Sequence, residues 1–431
     1  MLPYPKIGKS ECWEFCADNS TKSQNICLLK YVGSKVNSTA LTTVCAFYER
    51  PVPIRSEYLE KYMAVAPSSP ALLKRPEIPA LTSVRGIAAL WVACFHQSMN
   101  FRPSGFEAFD RIWQKGYLGV DLFFLLSGFV MYYVYSTKFS QTVDLRGYGR
   151  FLFLRLGRVY PVHAIILFGM ISIETAKYIS GVGHPFSLNP DYGIISNVLL
   201  VQSWHIHQNL TWNGPAWSIS AEWAVYLICP WLFLTASKFN AALKLLTIGG
   251  LFVGLASLEA QSDRGLDFTT DFGVVRCFLE FSIGLLLACT YLRLRDSTVS
   301  SWLGSDTHVA GSVLAVVAAI ILAGRDTWVV VTFCQLLLAL GMNEHRARAL
   351  LSAAPLIFLG EISYSFYMCH TFVFHYLGLA LERLPSFGVP GVPAVVGLLL
   401  SLALTILIAT LMFRCVELPT RSYVRSVLGS R

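Results

Sequence analysis

Ten apolar segments of 15 to 25 residues dominate this chain of 431 residues. A helix of about 20 apolar residues crosses the hydrocarbon core of a bilayer. The chain is 54% hydrophobic and only 14% charged, with a mean hydropathy of +0.53, whereas about a quarter of the residues of a soluble domain are charged. The sequence therefore predicts an all-α, polytopic membrane protein with about ten transmembrane helices. The predicted spans are 80–99, 117–137, 159–179, 215–236, 241–258, 273–292, 309–323, 328–342, 355–379 and 391–413.

Three regions are predicted from the distribution of these spans. Residues 1–75 contain no long apolar run and no signal-peptide pattern, so they are interpreted as a polar cytoplasmic N-terminal tail, either disordered or an extension without a role. Residues 76–425 form the membrane domain, and 426–431 form a short cytoplasmic C-terminal tail. The four cysteines of the N-terminal tail have spacings that fit no familiar zinc pattern, so no metal site is predicted.

Lysine and arginine are distributed unevenly between the two sets of connecting loops. With the N-terminus placed inside, the inner loops and tail carry fifteen of them and the outer loops six. Cytoplasmic loops carry the excess of positive charge in membrane proteins. The asymmetry predicts an integral membrane protein with both termini in the cytoplasm, and the plasma membrane is the expected location. No basic arm with interleaved aromatic residues is present, which argues against nucleic-acid binding.

Ionisable residues inside three of the spans are the first candidates for a functional site. Arg85 and His96 are 11 residues apart in the first span, so they share one helix face at a separation of about 16 Å. Asp121 lies near the outer end of the second span, and Ser218 and Glu222 lie near the outer end of the fourth. Charged residues are costly in a membrane and usually face a polar interior. His96, Asp121 and Glu222 are therefore expected to share one pocket.

A second polar level is predicted at the cytoplasmic side. Arg85 lies there, Arg155 and Arg158 enter the third span, and Glu361 and Tyr364 begin the ninth. Arginine suits phosphate groups, and the deeper histidine level is about 16 Å away. This arrangement fits an anionic cytosolic molecule with a long, thin reactive arm, such as an acyl-coenzyme A.

Other interpretations of these residues remain open. Asp121 can be an ion pair with a neighbouring arginine that holds helices together, and Arg276 and Glu280, four residues apart, are expected to pair on the sixth helix. Arg155 and Arg158 can be simple positive-inside anchors. The rival functions are a proton-coupled secondary transporter that uses His96 and the carboxylates as a relay, and a structural membrane scaffold.

Six stretches, taken together and in this order, resemble the acyltransferase-3 family of integral membrane acyltransferases. They are LTSVRGIAALWVACFH, GYLGVDLFFLLSGFVM, FLRLGRVYPVH, NGPAWSISAEWAVYLICP, LGEISYSFYMCH and FRCVELPTR, spread from about Pro79 to Arg421. The family's Arg-x10-His pattern falls on Arg85 and His96, and its WSxSxE motif ends on Glu222. Two departures are Thr82-Ser83, where the family often has Asp-Gly, and Met368-Cys369-His370, where it often has Leu-Leu-His.

The resemblance implies a protein of roughly ten helices that moves an acyl group, often acetyl, from cytosolic acyl-CoA to a hydroxyl of a glycan, lipid or small-molecule acceptor. Acyl-CoA is then a co-substrate, and no permanently bound cofactor is expected. O-acetylation of carbohydrate is the typical reaction of such members.

The residues suggest a mechanism within that frame. Arg85, Arg155 and Arg158 are expected to bind the phosphates of acyl-CoA, and His96 is expected to act as general base on the acceptor hydroxyl. Asp121 or Glu222 would orient the imidazole, and an acyl-histidine intermediate is an alternative. Ser218 or Tyr364 would donate to the thioester oxygen. The residues predicted to support the pocket are Ser218, Trp217, Glu361 and Tyr364.

Overall fold

A computed structural model describes residues 75–98, 110–181, 193–381 and 392–429. These residues form helices and connecting turns without a β-strand, which confirms the predicted all-α class. Residues 1–74 and most of the loop between the first two predicted spans lie outside the described residues. The helices are α1 Pro79–Ser98, α2 Asp110–Gln114, α3 Gly119–Tyr135, α4 Leu145–Ile179, α5 Ile194–Val198, α6 Ala216–Lys238, α7 Ala241–Glu259, α8 Gly273–Leu294, α9 Thr298–Leu303, α10 Asp306–Leu322, α11 Asp326–Met342, α12 Arg346–Leu351, α13 Ala354–Leu381, α14 Val392–Met412 and α15 Leu418–Gly429.

Seven helical segments among the described residues are long and apolar enough to cross a membrane. They include α3, α4, α6, α7, α8, α13 and α14, each of which overlaps a predicted span. Three further predicted spans also form helices, α1 with 20 residues and α10 and α11 with 17 each. A polytopic membrane protein is therefore confirmed, and the count of ten spans stays a prediction.

The third span begins earlier than hydropathy predicted. Residue 159 was the expected start, but α4 begins at Leu145, where the Asp144 side chain accepts a hydrogen bond of 2.6 Å from the Gly147 backbone N–H. Aspartate is a favoured N-cap because it satisfies backbone donors that lack a partner in the first turn. Arg155 and Arg158 therefore lie within a long helix, because the cap, and not hydropathy, sets its start.

Two close helix crossings fix the centre of the bundle. At the crossing of α3 and α8, a side chain at Gly128 would overlap the carbonyl oxygen of Phe281, and one at Gly284 would overlap that of Leu125. Small residues at such crossings allow membrane helices to approach closely. The second crossing brings Gly86 of α1 against Gly360 of α13 in the same way, and it positions the site.

Candidate active site

Two histidines meet where α1 packs against α13. His96 Nδ1 lies 3.1 Å from His370 Nε2 and 3.1 Å from the carbonyl oxygen of Val92. His370 is fully buried, and its Nδ1 lies 2.6 Å from the carbonyl oxygen of Tyr367. The direct partner of His96 is thus another histidine. In the sequence, His370 is the last residue of Met368-Cys369-His370, and its position along the chain does not indicate this contact.

Arg85 faces the same neighbouring helix as His96. Its Nη2 atom lies 3.4 Å from the Ser363 hydroxyl oxygen, seven residues before His370 on α13. Both residues of the Arg-x10-His pattern therefore lie on the α13-facing side of α1, as the spacing predicted. The two contacts also show that α1 and α13 run in the same direction.

Glu222 is hydrogen-bonded to two hydroxyl groups and not to His96. Its Oε1 atom accepts hydrogen bonds from the Ser127 hydroxyl and, at 2.5 Å, from the Tyr226 hydroxyl. Its charge acts on Arg85 and Arg155. Within the described helices, no hydrogen bond or ion pair joins His96 to Glu222 or Asp121. The structure therefore does not bring the three residues into the contact that a shared pocket predicted.

An arginine-rich cavity of about 160 Å³ opens where α15 packs on the first half of α4. Arg155 has its Nε atom buried without a hydrogen-bond partner, while its Nη2 donates to the Tyr135 hydroxyl at 3.0 Å. The cavity lining holds five arginines and no carboxylate, and its members are Tyr135, Arg150, Leu154, Arg155, Arg158, Arg421, Val424 and Arg425. Such a lining favours an anionic ligand, phosphate in particular.

Glu417 forms ion pairs with two of the arginines that line this cavity. It is fully buried in a π-helical turn, Phe413–Glu417, that joins α14 to α15. Its Oε1 lies 2.9 Å from Arg158 Nη1 and 3.4 Å from Arg421 Nη1, and its Oε2 accepts from the Ser365 hydroxyl at 2.9 Å. Sequence reasoning gave no role to Glu417 or to the arginines of α15, although FRCVELPTR contains two of these residues. The spacing of residues within this motif does not indicate that they contact α4.

Asp121 belongs to a different cluster. Its carboxylate pairs with the guanidinium of Arg276 on α8, and both side chains are fully buried. Arg276 Nε also lies 3.8 Å from Glu280 Oε1, which confirms the predicted pair. The Trp217 ring packs 5.6 Å from the Arg276 guanidinium carbon, so it contacts this ion pair. Asp121 therefore forms an ion pair between two helices, which is the alternative interpretation of this residue.

The remaining predicted pocket residues are engaged elsewhere or exposed. The Ser218 hydroxyl lies 3.0 Å from both the Pro215 carbonyl oxygen and the Tyr367 hydroxyl. The Tyr364 hydroxyl donates to the carbonyl oxygen of Val159, and Glu361 is exposed. Ser218 and Tyr364 are therefore not free donors to a thioester oxygen in this conformation, and Glu361 is not part of an enclosed pocket.

Comparison with known proteins identifies the class of enzyme. The family model described as "Acyltransferase domain" (Acyl_transf_3) matches residues 78–414. Acyltransferase MdmB of Streptomyces mycarofaciens is 28% identical over 326 residues, which are 69% of this chain and 79% of that protein. O-acetyltransferase OatA of Staphylococcus aureus is 22% identical over 371 residues, 80% of this chain and 57% of that protein, so the chain spans just over half of the length of OatA.

No solved structure matches this chain. The family match nevertheless covers well over half of the residues and confirms the resemblance carried by the six motifs. It agrees with the seven helical segments suited to crossing a membrane. The chain belongs to the acyltransferase-3 family and is an integral membrane acyltransferase.

Proposed function

We propose that this enzyme transfers an acyl group, acetyl in the simplest case, from cytosolic acyl-CoA to a hydroxyl of a glycan, lipid or small-molecule acceptor. One observation carries the proposal: Arg85 and His96 lie on the same face of α1, both against α13, at a helical rise of about 16 Å. A cation and a potential base are thus arranged along one line through the protein. An extended pantetheine arm spans a distance of that order.

The phosphate-bearing end of the donor is assigned to the arginine cavity. A cavity of about 160 Å³ that is lined by five arginines has room for a phosphate group. Arg155 and Arg158 line the cavity, and Arg85 lies close enough to Arg158 for their charges to interact. Glu222 interacts with Arg85 and Arg155, and we place it on the path of the pantetheine arm.

The reaction requires one proton acceptor at the thioester. His96 takes the proton from the acceptor hydroxyl as its oxygen attacks the thioester carbonyl. The carbon–sulfur bond then breaks, and the CoA thiolate leaves with the proton returned by His96. The products are an O-acyl ester and free CoA. Attack by His96 itself, with an acyl-histidine intermediate, is the alternative order of the same transfers.

Charge distribution supports a cytoplasmic donor side. The cavity arginines belong to loops and helix ends that carry fifteen lysines and arginines, against six on the opposite side. We therefore place the cavity and both termini in the cytoplasm, with the plasma membrane as the expected location. The histidine pair then lies toward the opposite side, where an acceptor outside the cytoplasm would reach it.

The first test measures free thiol. Membranes that contain the enzyme are expected to release CoA from acetyl-CoA only when a glycan or lipid extract supplies the acceptor. Membranes without the protein are the control. Acceptor-dependent release above that control supports the transfer. Movement of the acceptor across the membrane without acyl-CoA, together with no thiol release from acyl-CoAs of several chain lengths, would overturn it in favour of transport.

The donor assignment predicts a change in KM and not in kcat. Arg150 and Arg425 are exposed residues of the cavity lining, so replacing both with alanine should remove phosphate contacts without disturbing the fold. We expect the KM for acetyl-CoA to rise about tenfold, which corresponds to about 1.4 kcal/mol, with kcat unchanged.

A matched control separates this effect from general loss of charge. Arg414 is exposed in the turn Phe413–Glu417 that follows α14, and it is not a cavity residue. Arg414→Ala should therefore leave both KM and kcat unchanged. With acyl-pantetheine, which lacks the nucleotide phosphates, the double variant and the wild type should behave alike. An equal loss with both donors would contradict the assignment.

A further inference from the structure

The hydrogen bonds around the two histidines determine which ring nitrogens carry protons. Backbone carbonyl oxygens only accept hydrogen bonds, so His370 Nδ1, 2.6 Å from the Tyr367 oxygen, is a donor. A neutral His370 then has an unprotonated Nε2. That atom lies 3.1 Å from His96 Nδ1, so His96 Nδ1 must carry the hydrogen between them.

The second contact of His96 requires the same assignment. His96 Nδ1 also lies 3.1 Å from the carbonyl oxygen of Val92, and this contact is favourable only if Nδ1 is protonated. One hydrogen is thus shared between the Val92 oxygen and His370 Nε2. In neutral His96, the lone pair is then on Nε2. Among the described residues, no hydrogen bond to His96 Nε2 is found, and this atom is not among the fully buried polar atoms without a partner.

We propose that His370 is a positioning residue that holds His96 in the tautomer with Nε2 free to act as the base. The inference rests on the proposed function and deepens it by naming the atom that takes the proton and the residue that orients it. Catalytic histidines are generally oriented by a carboxylate. Here Asp121 and Glu222 are engaged elsewhere, and a neutral imidazole supplies the acceptor.

The position of His370 is itself fixed by the segment around it. On its two flanks, Asn213 Nδ2 donates to the Met368 carbonyl oxygen at 3.1 Å, and the Thr371 hydroxyl donates to Asn213 Oδ1 at 3.0 Å. The Ser218 hydroxyl lies 3.0 Å from that of Tyr367. The NGPAWS stretch at the start of α6 therefore holds one turn of α13 in place, and the His370 ring is oriented by its own hydrogen bond to the Tyr367 oxygen in that turn. This gives Ser218 a role through Tyr367 that needs no contact with the thioester.

Proton transfer is compatible with this arrangement. When His96 Nε2 takes the acceptor proton, Nδ1–H remains donated to His370 Nε2, and this hydrogen bond to a neutral acceptor stabilises the imidazolium of His96. The proton then leaves from Nε2 to the CoA sulfur, and His96 returns to the same tautomer. His370 remains neutral throughout, so the cycle balances without a second titrating group.

A measurement on the wild-type protein tests the tautomer directly. In protein with 15N-labelled histidine rings, the signals that disappear in His96→Ala belong to His96. We expect a protonated Nδ1 and an unprotonated Nε2 for neutral His96. A proton on Nε2 would overturn the inference without bearing on whether the protein is an acyltransferase.

Variants of His370 test the consequence for catalysis. His370→Gln keeps an acceptor oxygen near the position of Nε2, whereas His370→Leu fills similar space without one. We expect kcat to fall about 100-fold in the leucine variant, as misplacement of a catalytic group does, with little change in either KM, and to recover at least tenfold in the glutamine variant. His375 is exposed on the same helix, so His375→Ala is the matched control and should retain full activity.

The outcomes distinguish the two proposals. Full activity in His370→Leu, with His96→Ala inactive, would overturn the positioning role and leave the proposed function intact. Equal losses in the leucine and glutamine variants, with the thermal stability of both unchanged, would also overturn it. If the leucine variant fails to fold, the tautomer measurement on the wild-type protein still decides the inference.

Discussion

Replacing Arg276 with methionine should prevent recovery of folded protein. Arg276 and its two acidic neighbours, Asp121 and Glu280, are all fully buried. The guanidinium also donates to the carbonyl oxygens of Phe268 at 3.2 Å and Tyr117 at 3.4 Å. Methionine would leave two carboxyl groups and these carbonyls without a cation. Breaking a buried pair in this way costs about 3–5 kcal/mol, and the measurement is the yield and thermal stability of monodisperse protein in detergent.

Two further variants make this prediction specific. Arg293 is exposed near the end of the same helix, so Arg293→Met should match the wild type in yield. Asp121→Asn combined with Arg276→Met removes one charge of each sign and should recover part of the lost stability. If Arg276→Met were as stable as Arg293→Met, the ion pair would not hold α3 to α8.

The role of Asp121 in this cluster can be tested by measuring both the stability and the activity of Asp121→Asn. We expect Asp121→Asn to lower stability and to leave the activity per folded molecule close to that of wild type, because no hydrogen bond joins Asp121 to His96 in the described structure. A stable Asp121→Asn protein without activity would instead place Asp121 in the catalytic site, as the depth of the residue in its span first suggested.

Helix positions were predictable because hydropathy is a local property. The segment 241–258, for example, forms α7 at Ala241–Glu259. The start of α4 was missed because its first fourteen residues include four arginines, and a polar first half does not raise hydropathy. The residue that marks the start of α4 is its N-cap, Asp144. An aspartate can be recognised as an N-cap only when a helix is already expected to follow it.

Contacts between helices were less predictable. The spacing of residues along a helix shows which of them share a face, but it does not show which other helix that face contacts. The spacing correctly placed Arg85 and His96 on one side of α1, but it did not indicate that His370 lies opposite. Depth in a span was also an imprecise guide. Ser218 contacts the turn of His370 through Tyr367, whereas Glu222, one turn further along α6, belongs with Ser127 and Tyr226. A difference of one turn therefore changed which residues shared a site.

Replacing His96 with alanine should abolish transfer and leave the fold intact. The side chain is only partly buried, and its two polar contacts both involve Nδ1, so alanine removes the proposed base and little packing. Loss of a positioned general base lowers the rate about 10²–10⁴-fold. We expect acceptor-dependent release of CoA to fall to the level of membranes without the enzyme, with the KM for acetyl-CoA unchanged in any residual activity.

A set of matched measurements separates chemistry from folding in this test. His375→Ala, on the exposed side of α13, should release CoA at the wild-type rate, and His96→Ala should elute and melt as the wild type does. His96→Ala should also still bind acetyl-CoA, because no residue of α1 lines the arginine cavity. A folded His96→Ala protein that transfers acyl groups at the wild-type rate would move the base elsewhere. Loss of donor binding in the same variant would mean that the thioester, and not only the acceptor, depends on His96 for its position.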